Sequence, residues 1–185
     1  MEPETITIDG SAYTIRCYNS ADSLLHLTEM LHRAYAGLAA MGLRFLATHQ
    51  DDDVTRNRLN GEWSFVVEKE GTIVATVTVY QPRPHDECAW YNTPGVWCFG
   101  QFGVEPALQR QGIGKLLMSF IEQRVLEAGG RELACDTAEP ALHLRSWYES
   151  MGYGFKQFVQ WQEVNYRSVI LSKTLGSNPD TTLSA

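Results

Sequence analysis

No cysteine in this chain stands where a partner could join it in holding a metal. Cys17, Cys88, Cys98 and Cys135 are scattered, with no C-x-x-C pair. His85 and Cys88 have no second pair to complete four ligands, so no metal is expected. The same scatter argues against a disulfide framework. A chain of 185 residues can bury a core without one. No apolar run approaches the roughly 20 residues of a membrane span. Met1–Glu4 lacks the basic and apolar regions of a secretory signal. A reduced, cytoplasmic protein with no membrane partner is therefore expected. Positive charge is also short: the net charge is −7. That disfavours nucleic acid, which wants a basic face, and would attract a cationic acceptor. Two nucleotide-binding glycine patterns are missing as well. Gly114-Lys115 is followed by Leu116, which excludes G-x-x-x-x-G-K-[ST]. Gly112-Ile113-Gly114 lacks the third glycine of G-x-G-x-x-G.

What is present is a strand, a glycine-bearing turn and a helix start. Val96–Val104 is a mostly apolar run, and Gly100 and Gly103 within it suggest a bulge or a close backbone approach. Gln109-Arg110-Gln111-Gly112-Ile113-Gly114 follows. Ile113, Leu116, Leu117, Phe120, Ile121 and Val125 then recur at helical spacing, ended by Gly129-Gly130. Backbone N–H groups at such a turn can approach an anion closely, and the helix dipole favours negative charge there. Gly112 and Gly114 remove obstructing side chains, and Arg110 and Lys115 add positive charge. A phosphate or pyrophosphate is the ligand this chemistry suits.

The remaining chain reads as one domain over residues 1–175 with a flexible tail at 176–185. Residues 5–19 suggest one edge strand or two. Ser20 is placed to cap a helix reaching about Leu38. Asp51 or Asp52 starts a second helix that stops at Gly61. Strands are expected over 63–68 and 72–81, and a long, functional or mobile loop over 82–95. A strand over 132–137, a helix from Pro140 to Met151 and a closing strand pair over 153–162 and 166–175 complete the order. Hairpins followed by β-α-β-α-β imply an α/β fold. Its central sheet is mixed, mostly antiparallel, of about seven strands, with helices on both faces.

Phe102-Gly103-Val104-Glu105-Pro106 followed by Gln109-Arg110-Gln111-Gly112-Ile113-Gly114 resembles the acyl-CoA signature of the GNAT N-acetyltransferase superfamily. Trp147-Tyr148-Glu149-Ser150-Met151-Gly152-Tyr153 is similar to that family's Y-x-x-x-G-[FY] element. The resemblance spans roughly residues 12–175. It implies acetyl-CoA as cosubstrate, with its pyrophosphate on the turn from Gln109, Arg110 and Gln111 to Gly112, Ile113, Gly114 and Lys115. It also implies a pantetheine arm paired with the backbone of Phe102 and Val104, where an N–H could polarise the thioester carbonyl. Tyr148 matches the family's general acid toward the leaving thiolate.

The base is not fixed by the resemblance. Cys98 stands where some relatives carry Glu or His. Asp136, at the end of the next strand, is the first candidate, with His85, Glu87, His143 and a water chain as alternatives. The acceptor pocket implied by the fold would draw on Phe45, Trp161 and Tyr166. The activity expected is direct acetyl transfer to a primary amine of a small molecule, by a monomer or homodimer. A peptide or protein N-acetyltransferase and a non-catalytic acyl-CoA sensor are the alternatives.

Overall fold

The computed structural model describes residues 2–84 and 86–176. The expected tail, Gly176 apart, and His85 lie outside the described residues. Among the described residues eight strands form one sheet: β1 (Glu4–Ile8), β2 (Ser11–Cys17), β3 (Ser64–Lys69), β4 (Thr72–Tyr80), β5 (Val96–Val104), β6 (Glu132–Ala138), β7 (Gly154–Val159) and β8 (Ser168–Thr174). Their spatial order is β1-β2-β3-β4-β5-β6-β8-β7. Every neighbouring pair is antiparallel except β5–β6. The extra strand over the expected seven comes from residues 4–17. They fold back through Asp9 and Gly10, whose φ angles of 47° and 78° suit a tight hairpin turn.

The α-helices among the described residues are α1 (Leu24–Ala40), α2 (Asp52–Asn57), α3 (Ile113–Glu127) and α4 (Leu142–Glu149). The period-2 alternation of β3 shows how two of them are placed on opposite faces. Val66 packs with Leu27, Met30 and Leu31 of α1. Phe65 and Val67 pack with Ile113, Leu117, Ile121 and Val125 of α3. Each such fully buried aliphatic side chain contributes about 1.5–3 kcal/mol, so the two apolar faces, more than helix propensity, hold α1 and α3 in place.

Several boundaries differ from expectation, three of them at helix ends. The cap of α1 is Ser23, whose side chain accepts from His26 N, and not Ser20. Residues 19–22 are taken up by a turn in which Asp22 accepts from Asn19 N and is clasped by Arg16. α2 begins at its Asp51 cap as expected but ends at Asn57, not at Gly61. Pro140 precedes α4 and does not lie in its first turn; the helix begins at Leu142.

At the end of α3 the chain must turn under a large side chain. A Cβ on Gly130 would lie 2.8 Å from Trp97 Cδ1 and would also strike Val125. Both neighbours are buried, so neither can move aside freely. Gly130→Ala is expected to destabilise the protein by about 1–3 kcal/mol through overpacking. Urea unfolding checks this: an unchanged midpoint would mean that Trp97 shifts at no cost.

Candidate active site

Strands β5 and β6 run parallel but separate. Their pairing covers Val96, Trp97 and Cys98 against Glu132, Leu133 and Ala134, and goes no further. β5 continues to Val104 and β6 to Ala138, so a wedge opens between them. Glu105 N donates to Val74 O at 2.8 Å, toward β4. Backbone groups alternate sides along a strand, which turns Phe102 and Val104 toward the wedge. Their carbonyls already have donors: Tyr35 Oη at 2.9 Å and Gln109 Nε2 at 3.1 Å. The edge therefore offers chiefly N–H groups, the pattern of an unpaired strand awaiting a partner.

The turn beyond β5 lies at the mouth of this wedge. Arg110 has φ 64° and Gly112, the N-cap of α3, has φ 91°. No side chain among the described residues caps the helix. None of the six N–H groups from Arg110 to Lys115 donates to an acceptor among the described residues. Six such donors at the N-terminus of a 15-residue helix form a concave anion-binding surface. Arg110 and Lys115 are exposed beside it, and neither pairs with a carboxylate among the described residues. Gly114 serves packing as well as access. A Cβ there would contact Trp147 at 3.4 Å, and Trp147 is itself stacked on Phe102 with ring centroids 5.8 Å apart.

Below the wedge lies a cavity of about 320 Å³. Phe102, Tyr148, Asp136, Phe45, Trp161 and Tyr166 all line it. Tyr148 is buried against Phe99 and Trp147, and no described residue hydrogen-bonds its hydroxyl. Burial pushes its phenol well above the usual value of 10. Asp136 accepts from Trp161 Nε1 and Ser168 Oγ, each at 3.2 Å and both on Oδ2. Oδ1 has no protein donor among the described residues and is not sealed from the cavity. Burial raises the Asp136 carboxyl above the ordinary range, while the two hydrogen bonds and the charges of Arg58 and Arg83 oppose that rise.

Residues 27–153 match the Acetyltransferase (GNAT) family. The chain belongs to that family, and it is an acyltransferase. It is 30% identical over 143 residues to an S-(2-succino)cysteine N-acetyltransferase of Bacillus subtilis, covering 76% of this chain and 82% of the relative. An S-alkylcysteine N-acetyltransferase of the same organism is 23% identical over 100 residues, 54% of each chain. In fold it resembles a Salmonella typhimurium protein solved with its cofactor acetyl-CoA. That likeness has a TM-score of 0.62 and 17% identity, over 89% of this chain and 95% of that one.

Of the other candidate bases of this GNAT chain, His85 lies outside the described residues and Cys98, Glu87 and His143 are poorly placed. Cys98 is buried, and burial drives its thiol to about 12 although Arg83 Nη2 lies 3.3 Å from Sγ. The sequence places no cation near it; the fold does, and desolvation still prevails. Glu87 and His143 are exposed and do not line the cavity. Several lining groups went unrecognised in the sequence. Tyr35 reads there as a core-face residue of α1, yet its hydroxyl reaches Phe102 O. Arg58 follows α2, and Arg83 and Asp86 come from the proline-bearing loop, where a 3.3 Å ion pair joins them. Only the loop's length hinted at a role. No group of side chains suited to a metal occurs among the described residues, and no helix among them is long and apolar enough to cross a membrane.

Proposed function

We propose that this enzyme transfers an acetyl group from acetyl-CoA to the primary amine of a small molecule by direct attack, with residues 1–175 acting as one domain. Acetyl-CoA supplies the acetyl thioester: a C–N bond forms as the C–S bond breaks, and the amine's proton is lost as the sulfur gains one. The observation that carries this reading is the continuity of three features: an uncapped helix N-terminus, an unpaired strand edge, and a cavity holding Tyr148 and Asp136. The N–H groups from Arg110 to Lys115 bind the pyrophosphate, with the Gln109 and Gln111 side chains shaping the turn. The edge at Phe102 and Val104 orients the arm. Asp136 Oδ1 receives the proton from the acceptor ammonium, directly or through water, and its raised pKa makes it a better base. Tyr148 Oη donates a hydrogen bond to the departing sulfur.

The curated relatives act, by their names, on S-substituted cysteines. An acceptor of that size suits an aromatic cavity of about 320 Å³. We therefore place S-substituted cysteines first among the acceptors. Purified protein, acetyl-CoA and a panel of amines, followed by release of free thiol, tests the reading. Amine-dependent thiol release with N-acetyl product supports it; its absence with every amine overturns it.

Asp136→Asn is expected to lower kcat/KM by about 10²-fold and to remove the acid limb of its pH profile. That limb falls above the ordinary carboxylate range, because burial raises Asp136. The stability effect has the opposite sign. A carboxyl whose folded pKa is raised stabilises the fold at low pH, and that contribution is lost as pH rises through the folded value. The Asn variant should therefore melt no lower than the parent at neutral pH. An unaltered pH–rate profile would remove Asp136 from the mechanism.

A further inference from the structure

We propose that Arg58 binds the α-carboxylate of the acceptor, which makes the acceptor an α-amino acid and not a simple amine. This rests on the acetyl-transfer reading above and deepens it.

Arg58 is the half-buried residue that caps the C-terminus of α2; it lines the cavity, and its Nη2 lies close to Gly100, which lines it too. It is held from two sides. Its carbonyl accepts from Tyr80 Oη at 2.6 Å. Its Nη1 donates to Gln50 Oε1 at 2.6 Å. Gln50 is buried and fixed in turn by donating to Thr55 Oγ1 and to Gln101 Oε1. Gln101 sits at the β5 bulge with φ 48°. A flexible arginine does not need such a frame to cap a surface helix, and the frame fixes its position on the cavity wall.

The frame uses one guanidinium nitrogen. Nε and Nη2 donate to no acceptor among the described residues, and Arg58 forms no ion pair with any described carboxylate. Nη2 lies beside the bulge, close to Gly100. The other cavity arginine is already engaged: Arg83 pairs with Asp86, contacts Cys98 Sγ and lies over the Tyr80 and Tyr91 rings. A half-buried guanidinium with a free edge, facing an aromatic cavity, calls for an anion with two oxygens. The cavity also holds Asp136, which has an oxygen free of protein donors and is close enough to feel the charge of Arg58. One wall thus offers a cation and another a carboxylate. A zwitterion whose ammonium and carboxylate are carried by one carbon satisfies both, whereas a plain amine leaves Arg58 without an anion. The aromatic surface of Phe45, Tyr166 and Trp161 remains for the acceptor's side group.

The test compares S-benzylcysteine with its carboxamide, on the parent enzyme and on Arg58→Gln. On the parent enzyme, the carboxamide is expected to lose about 10²-fold in kcat/KM, mostly through KM. Arg58→Gln should lose a similar factor on the acid. The two losses should not add when variant and carboxamide are combined. Arg58→Lys, which keeps the charge but not the fork, should fall between. Calorimetry with acetyl-CoA shows whether each variant still folds and binds its cosubstrate. Equal turnover of acid and carboxamide by the parent, or additive losses, overturns the Arg58 assignment alone. Failure of the parent enzyme to acetylate any amine overturns the acetyl-transfer reading beneath it.

Discussion

Gly112→Asp and Gly114→Glu should each weaken acetyl-CoA binding by about 10³-fold or more, because each puts a carboxylate where the pyrophosphate is proposed to lie. The N–H groups from Arg110 to Lys115 have no acceptor among the described residues. Hydrogen bonds to a charged group contribute roughly 1.5–3 kcal/mol each, so losing two accounts for the factor. The substituted carboxylate would itself take those N–H groups, as capping residues do at helix N-termini. At Gly112 there is a second cost. Its φ of 91° lies in the region that side-chain-bearing residues avoid, at about 1–2 kcal/mol. Gly114→Ala is the control for bulk without charge. Its Cβ would meet Trp147 at 3.4 Å, an ordinary contact, so it should keep most of the affinity. Calorimetry decides: unchanged acetyl-CoA affinity in either acidic variant removes the turn from the cofactor site.

That turn was legible in the sequence because its signals are local. An apolar run, two glycines and a helical period lie within about 30 residues, and each has one dominant physical meaning. Strand β5 begins and ends at the residues its pattern indicates, Val96 and Val104. The α1 cap was harder. Ser20 and Ser23 both precede the helix, and the choice depends on Arg16, which binds Asp22 and holds residues 19–22 in a turn. No local rule includes a partner on another strand.

The cavity proposed to take the acceptor was less legible for the same reason. Its walls come from α1, the segment after α2, the 82–95 loop, β6 and the residues between β7 and β8. The sequence offers each residue an ordinary local role: Tyr35 as part of an apolar helix face, Arg58 as a solvated helix end. Only the sheet brings them together. The wedge itself is a tertiary result. Nothing in the alternation of β5 or β6 marks Cys98 and Ala134 as the last paired residues, although Gly100 and Gly103 hinted at an irregular edge. The bulge is there, with Gln101 at φ 48° and a register shift opposite Thr76 and Thr78.

Tyr148→Phe should lower kcat by about 10²-fold while leaving acetyl-CoA affinity nearly unchanged. The variant keeps the ring, and with it the packing against Phe99, Trp147 and Tyr153. It removes only an oxygen that bonds to no described residue, so the fold should be little affected. How the phenol would act in the proposed transfer follows from its burial. Desolvation, reinforced by nearby acidic groups, raises it well above 10, whereas an ordinary thiol has a pKa of about 8.5. Complete transfer from tyrosine to a thiolate would then be uphill. The favoured role is a hydrogen bond that strengthens as negative charge develops on sulfur, which lowers the barrier without stabilising the bound thioester. Three consequences follow. First, kcat should fall with little change in KM for acetyl-CoA. Second, no ionisation of Tyr148 should appear in the rate profile below about pH 10, because the phenol stays protonated throughout. The variant should also be less impaired with an acyl donor whose thiol is more acidic, since such a leaving group needs less help. Steady-state kinetics across pH with two donors reads all three. Wild-type turnover in Tyr148→Phe would reduce Tyr148 to a packing residue, and an equal loss with both donors would place its effect elsewhere than on the leaving sulfur.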